Sequence, residues 1–280
     1  MSDDLTGLIF DMPEAEYHAR PELSSTQARA LLDSPARYRY DLTHRRESVA
    51  YDVGHATHAR ILGVGSPVIV YPDEHLTASG NPSEKKATLA WLEEQRASGL
   101  VPITPAHMDA VDAMAEAVLA HPEARRLLEL DGASEVSVFA ADPETGVRCR
   151  ARIDRLNAEA AIDVKTVSGS ASRIEFGREA ARYGYPVQAA WYLDVLAWAG
   201  EPEREWRYIA IEKGAPHLVA VHALDDVTML TARQMAARAR AIYAECVASG
   251  MWPGYGDETL TTYMPAWWYG DDDEVELNLA

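Results

Sequence analysis

The chain has 280 residues, of which 48% are hydrophobic, enough to bury a sizeable core. Its 44 acidic and 26 basic residues leave a formal net charge of −18, which excludes a protein that holds nucleic acid mainly by neutralising phosphates across an extended basic surface. No apolar run approaches membrane-spanning length, so no membrane partner is expected, and the only cysteines, Cys149 and Cys246, read as reduced thiols of a cytoplasmic protein.

The opening MSDDLTGLIFDMPEAEYH lacks the basic n-region of a signal peptide, in keeping with a cytoplasmic location. A helix is predicted over Ser25–Leu32, followed by a cluster of basic residues at Arg37, Arg39, Arg45 and Arg46. Asp52–Leu62 reads as a helix in which His58 lies one turn after Gly54, with His55 as a rival for any role given to it. The stretch SGNPS at 79–83 reads as a long loop. Helices follow at Ser83–Ser98, Pro105–Ala120 and Pro122–Glu129, the second with Ala106, Met108, Val111, Met114 and Val118 at helical spacing. Residues 1–130 are therefore mainly helical. Three strands follow at 134–140, 147–156 and 161–166, the first two joined by the turn Asp142–Gly146. A long helix is predicted over Arg173–Ala199, in which Gln188 and Tyr192 are four residues apart and share a face. A hairpin of 205–211 and 217–224 turns at 212–216, and the last helix, Asp226–Ser249, takes Asp225 as its N-cap. An acidic tail occupies 269–280. With no linker, repeat or low-complexity tract, the chain reads as a single domain over 1–280, an α/β fold in which a mixed β-sheet is flanked by helices.

Alternate side chains of a strand share a face. Val147, Cys149, Ala151 and Ile153 make one row, while Arg148, Arg150, Arg152 and Asp154 make the other. In the next strand Ile162 and Val164 point inward, and Asp163 and Lys165 point outward together. Two carboxylates and a lysine exposed together at a sheet edge suit a divalent cation: Mg²⁺ takes oxygen ligands, commonly one or two carboxylates plus substrate phosphate oxygens. The arrangement suggests a metal-dependent phosphodiesterase in which Lys165 orients water and offsets developing charge. An ordinary Asp163–Lys165 surface salt bridge accounts for that pair equally well. Glu135, on the neighbouring strand, is a third candidate acid.

Taken in order, Gly54-x-x-x-His58, Glu135, Arg152-x-Asp154, Asp163-x-Lys165 and Gln188-x-x-x-Tyr192 resemble the RecB-type branch of the PD-(D/E)XK nucleases. More narrowly they resemble the phage and prophage exonuclease VIII, or RecE-like, exonucleases. Leu23–Gln27 through Ser34–Tyr38 is similar to that family's N-terminal helix, and Trp252–Tyr255 with Pro265–Trp267 is similar to its C-terminal ending. The likeness spans roughly residues 20 to 268 and implies the restriction-endonuclease-like core of that superfamily.

The resemblance implies roles. His58, Asp154, Asp163 and the backbone carbonyl of Val164 are the implied metal ligands, Lys165 the catalytic lysine. Glu135 assists through a second metal or a water, and Gln188 positions substrate or Lys165. Tyr192 is a candidate DNA contact, although an aromatic at that helical position is more often core. The cation is Mg²⁺, or Mn²⁺, since carboxylate ligands suit both. Relatives that carry an iron–sulfur cluster hold it with four cysteines, so no such cluster is expected here. The implied reaction is processive 5′ to 3′ hydrolysis of one strand from a double-stranded DNA end, leaving a 3′ overhang for phage recombination. Implied partners are a RecT-like single-strand annealing protein, with the aromatic and acidic segment Tyr263–Glu276 as a docking candidate, and further copies of the chain forming a ring. DNA backbone is expected at the N-terminal arginines and at Arg148, Arg150, Arg152 and Arg155, and a 5′-phosphate at Ser34 and Arg37. A structure-specific endonuclease of the same fold and a non-catalytic DNA-binding relic are the alternatives.

Overall fold

A computed structural model describes residues 5–44 and 49–264. The expectations placed on Arg45, Arg46, Pro265–Trp267 and the acidic tail lie outside these residues.

The chain opens with strand β1 (Gly7–Ile9) and helices α1 (Glu14–Ala19), α2 (Ser25–Asp33), α3 (Pro35–Asp41) and α4 (Val49–Leu62). Ser24 caps α2 in a reciprocal box with Gln27, and Ser34 caps α3 with Pro35 in its first turn, a start signal that local chemistry supplies without help from the core. Strand β2 (Val68–Val70), helix α5 (Lys86–Ala97) and strand β3 (Val101–Ile103) form a small crossover whose two strands pair in parallel. Helices α6 (Pro105–Ala120) and α7 (Pro122–Glu129) then lead into strands β4 (Gly132–Ala141), β5 (Arg148–Asn157) and β6 (Ala160–Val167). Helices α8 (Arg173–Tyr183) and α9 (Tyr185–Trp198), strands β7 (Glu205–Glu212) and β8 (Val219–His222) and helix α10 (Asp226–Ser249) complete the described chain. Asp225 caps α10 through a 2.9 Å bond accepted from the Thr228 amide.

The main sheet runs β1-β4-β5-β6-β7-β8. Only β6 and β7 pair in parallel, and α8 and α9 provide the crossover that a parallel pair requires. Both faces of the sheet are covered. Val138, Ala151 and Ile153 pack against Leu31 of α2, Trp191 of α9 and Ala236 of α10, while Ile162, Val164 and Ile209 pack against Val111 and Met114 of α6 and Leu127 of α7. The fold is thus the expected α/β arrangement of a mixed sheet between helices.

Three expectations differ from the structure. β6 is a central strand with both rows covered, and Asp163 is buried at 2% exposure, so the acid pair does not sit at an exposed sheet edge. The helix predicted over 173–199 is two helices: Gly184 takes the left-handed conformation (φ 67, ψ 33), ending α8, and Pro186 enters the first turn of α9. The helix predicted from Ser83 begins at Lys86. The three-residue strands β1, β2 and β3 are too short to show periodicity, so nothing in the sequence announces them.

Candidate active site

The site is built at a fork in the sheet. β4 and β5 pair along nearly their whole length, but β5 and β6 pair only at Arg155↔Ile162 and Leu156↔Ala161. Beyond that point the strands part, and the Val164 amide, which a continued ladder would have used, donates instead to Asp154 Oδ2 at 2.7 Å. The Asp154 side chain bridges the gap. Asp163 lies across it, its Oδ1 accepting a 2.8 Å bond from Gln188 Nε2 and its Oδ2 lying 2.6 Å from Lys165 Nζ. That ion pair apart, Asp163 Oδ2 accepts no hydrogen bond. His58 approaches from α4, Nδ1 3.4 Å from Asp154 Oδ2.

Glu135 completes the group. The β4–β5 register sets it opposite Asp154, yet the ladder skips that pair between Ser134↔Arg155 and Val136↔Ile153, and Glu135 adopts φ 53. Like charges facing each other across strands are unfavourable, and a left-handed non-glycine residue costs about 1–3 kcal/mol. Strain of this kind persists where the surroundings demand it. Here the Glu135 carboxylate accepts a 2.5 Å bond from Arg152 Nε, and ligand atoms of His58, Glu135 and Asp154 lie within 4.8 Å of one another.

Charge at the site fits a divalent cation. Burial, and then the Asp163 carboxylate, pushes Asp154 well above the usual carboxylate range, a penalty that a cation between the acids removes. Burial, reinforced by Lys165, pushes His58 down to about 4, so the imidazole is neutral at pH 7, the form that binds metal. The Val164 backbone beside it opposes that shift in part. Carboxylate oxygens with one imidazole suit Mg²⁺ or Mn²⁺. The structure brings ligand atoms of His58, Glu135 and Asp154 together where they could hold the ion, while Asp163, expected as a ligand, pairs with Lys165 and Gln188 beside them.

Behind this group a relay runs back to α2. Tyr192 is buried, its ring 5.7 Å edge-on from Trp206, and its hydroxyl faces Ser25 and Gln188. Burial, then Asp163, pushes that phenol up to about 12, so it stays protonated. Gln188 therefore bears on Asp163, the acid, where Lys165 or substrate was expected. His55 is directed elsewhere, 3.8 Å from Glu14 Oε1. Among the described residues a Cβ on Gly54 would meet only Thr166 Oγ1, at 3.9 Å.

Three of the four β5 arginines are engaged by the N-terminal segment, and the fourth by the end of α7. Arg148 donates to the Leu5 carbonyl, Arg150 to that of Tyr17 at 2.6 Å, Arg152 to that of Met12 at 3.0 Å, and Arg155 to that of Leu130 at 2.6 Å. Arg150 is 3% exposed. The row expected to meet DNA is thus covered by the strap that carries β1 and α1, because backbone carbonyls of an edge segment are the partners these guanidiniums find first. Ser34 is buried and its hydroxyl caps α3, which corrects its expected access to a 5′-phosphate; Arg37 is exposed, pairing with Asp33 and the Tyr255 hydroxyl. Two cavities open beside the site: one of about 330 Å³ lined by Ser25, Tyr38, Arg150 and Tyr192, the other of about 350 Å³ lined by Glu14, Ser66, Glu135 and Arg152.

One participant was not foreseen. Lys165 Nζ lies 4.9 Å from the centre of the Tyr185 ring, a cation–π contact made possible by the helix break at Gly184. The Gly-Tyr-Pro at 184–186 was the available signal.

Comparison with known proteins gives three findings. The PDDEXK-like domain of unknown function (DUF3799) matches residues 24–261. No curated protein matches the sequence. Among solved structures, a Eubacterium rectale protein provisionally assigned as an exonuclease superposes with a TM-score of 0.60 at 10% identity over 94% of this chain and 100% of that one, a likeness of fold. LHK-Exo, solved in complex with dAMP, aligns at 17% identity over 72% of this chain and 92% of that one, but its TM-score of 0.28 carries no argument.

Proposed function

The chain belongs to the PDDEXK-like domain family DUF3799, and within it we propose that this protein is a metal-dependent DNA exonuclease, acting from one domain on the ends of linear duplex. The observation that carries the proposal is the fork itself: Asp154, Asp163, Lys165 and His58 meet where two central strands of the sheet separate. Separating paired strands and burying two acids both cost free energy, a cost that a divalent cation held by these residues would offset.

Bound there, Mg²⁺ or Mn²⁺ supplies Lewis acidity toward a phosphodiester and lowers the pKa of water. The protein's own groups do the placing. Asp163, fixed by Gln188, holds Lys165 Nζ at 2.6 Å, where the ammonium orients the attacking water and offsets charge on the phosphoryl oxygens. Water oxygen bonds to phosphorus, the P–O3′ bond breaks, and the products are a 5′-phosphate and a 3′-hydroxyl. His58 Nδ1 and the Val164 amide both meet Asp154 Oδ2 and so fix that carboxylate.

The finer reading is processive 5′ to 3′ digestion that leaves a 3′ overhang for single-strand annealing recombination, with a RecT-like partner and a ring of subunits confining the DNA. A ring also answers the net charge of −18, since confinement replaces an extended basic surface.

The test is incubation of linear duplex labelled at either the 5′ or the 3′ end, with Mg²⁺ and with chelator, beside a covalently closed circle. The expected result is release of 5′-mononucleotides from the linear substrate, first from the 5′ label, in metal only, with the circle intact. Cleavage of the circle would make the protein a structure-specific endonuclease. Inertness toward both would leave a DNA-binding relic.

A further inference from the structure

Residues two apart on a continuous helix point to nearly opposite sides and do not meet. Tyr183 and Tyr185 do meet: their rings lie 5.8 Å apart at 22°, stacked. Gly184 between them makes this possible, since its φ of 67 ends α8 and turns the chain before α9 begins. The inner ring is fixed with respect to the chemistry. Tyr185 lies 4.9 Å from Lys165 Nζ, packs against Phe176 and Tyr208, and its carbonyl accepts a 2.7 Å bond from the Tyr208 hydroxyl. The outer ring is open to solvent, Tyr183 being 51% exposed. Cations accompany it: the Arg182 guanidinium lies 5.6 Å from its centre, and Arg29 donates to its carbonyl.

We propose that the Tyr183–Tyr185 pair is a stacking platform for an unpaired nucleobase at the end of the strand being cut, with Arg182 and Arg29 beside the adjoining phosphate. The site rests on the nuclease reading above. Its occupant follows from continuity: the aromatic steps begin at Lys165, where that reading places the scissile phosphate, and lead outward within the reach of a neighbouring nucleotide. Every base offers a π-face, so the contact does not depend on sequence, as a processive enzyme needs, and flanking arginines suit the phosphate that follows. A base inside a duplex keeps both faces stacked. The platform therefore selects a frayed terminal nucleotide, holding it out of the helix while its phosphate lies at Lys165.

The test uses linear duplex carrying 2-aminopurine at its ends, whose fluorescence falls on stacking, with the full chain in a Lys165→Ala background so that the strand is not consumed. Bound duplex should be dimmer with Tyr183 present than with Tyr183→Ala, and dim again with Tyr183→Trp. In chains with Lys165 intact, Tyr183→Ala should raise KM about 5- to 100-fold with kcat within about twofold, and Tyr183→Trp should restore KM. Equal quenching by Tyr183→Ala, or a loss confined to kcat, overturns the platform while digestion by the unsubstituted chain leaves the nuclease reading standing. If the unsubstituted chain digests no linear duplex in Mg²⁺ or Mn²⁺, both readings fall together.

Discussion

Gln188→Ala probes how the site holds its acid. The Gln188 amide is 8% exposed, and it donates at 2.8 Å to Asp163 Oδ1, itself on a residue 2% exposed, so water does not readily replace the bond. A hydrogen bond to a charged group contributes about 1.5–3 kcal/mol, and its loss leaves a buried carboxylate oxygen without a donor. For a chain of this size the melting temperature should fall by roughly 3–12 °C without metal. The larger effect is on the ion. Groups that orient metal ligands typically account for about 10–100-fold in metal affinity or activity, so the Mg²⁺ concentration for half-maximal digestion should rise by that factor. Saturating metal should recover much of the rate, because Lys165 and both aspartates remain. The assay is release of end label from linear duplex across a Mg²⁺ titration, with calorimetry of metal uptake alongside. An unchanged Mg²⁺ midpoint together with an unchanged melting temperature would refute the claim that this bond positions Asp163.

Other substitutions probe separate links. Lys165→Ala should abolish digestion while divalent metal uptake, measured by calorimetry, persists; residual cleavage above about one per cent would remove Lys165 from the chemistry. Glu14 is held down to about 2, chiefly by its hydrogen bond with His18 and then by His55, against the opposing effect of burial. Its folded value lies below the unfolded 4.5, so its stabilisation is complete above pH 4.5 and disappears as pH falls toward 2. Glu14→Gln should therefore be less stable than the parent at pH 6 and approach it across that window, as read by denaturant midpoints; a constant gap would contradict the linkage. Gly184→Ala should cost more than about 1 kcal/mol, because φ 67 favours glycine over a residue with a Cβ and that Cβ would meet Arg29 Cδ at 2.8 Å. Thermal denaturation reads this, and an unchanged midpoint would show that the helix break does not depend on the glycine.

Much of the site was legible because strand periodicity is local. Asp163 and Lys165 share a face at a spacing that any strand imposes, and helical spacing does the same for Gln188 and Tyr192, both buried on α9. Start signals were equally local: Asp225 caps α10 as expected. The break at Gly184 was written in Gly-Tyr-Pro but masked by apolar residues that continue a helical pattern on either side.

What the amino-acid order decided, then, was residue type, spacing and the identity of each element long enough to repeat. Tertiary packing decided where the acids lie: in a buried fork between β5 and β6, because the strands part and the Val164 amide takes Asp154 as its partner. It also decided the fate of the β5 arginines, whose carbonyl partners come from residues more than a hundred positions away in Leu5, Met12 and Tyr17. Periodicity reports which way a side chain points from its own strand. Which segment arrives to meet it is settled only when the whole chain closes.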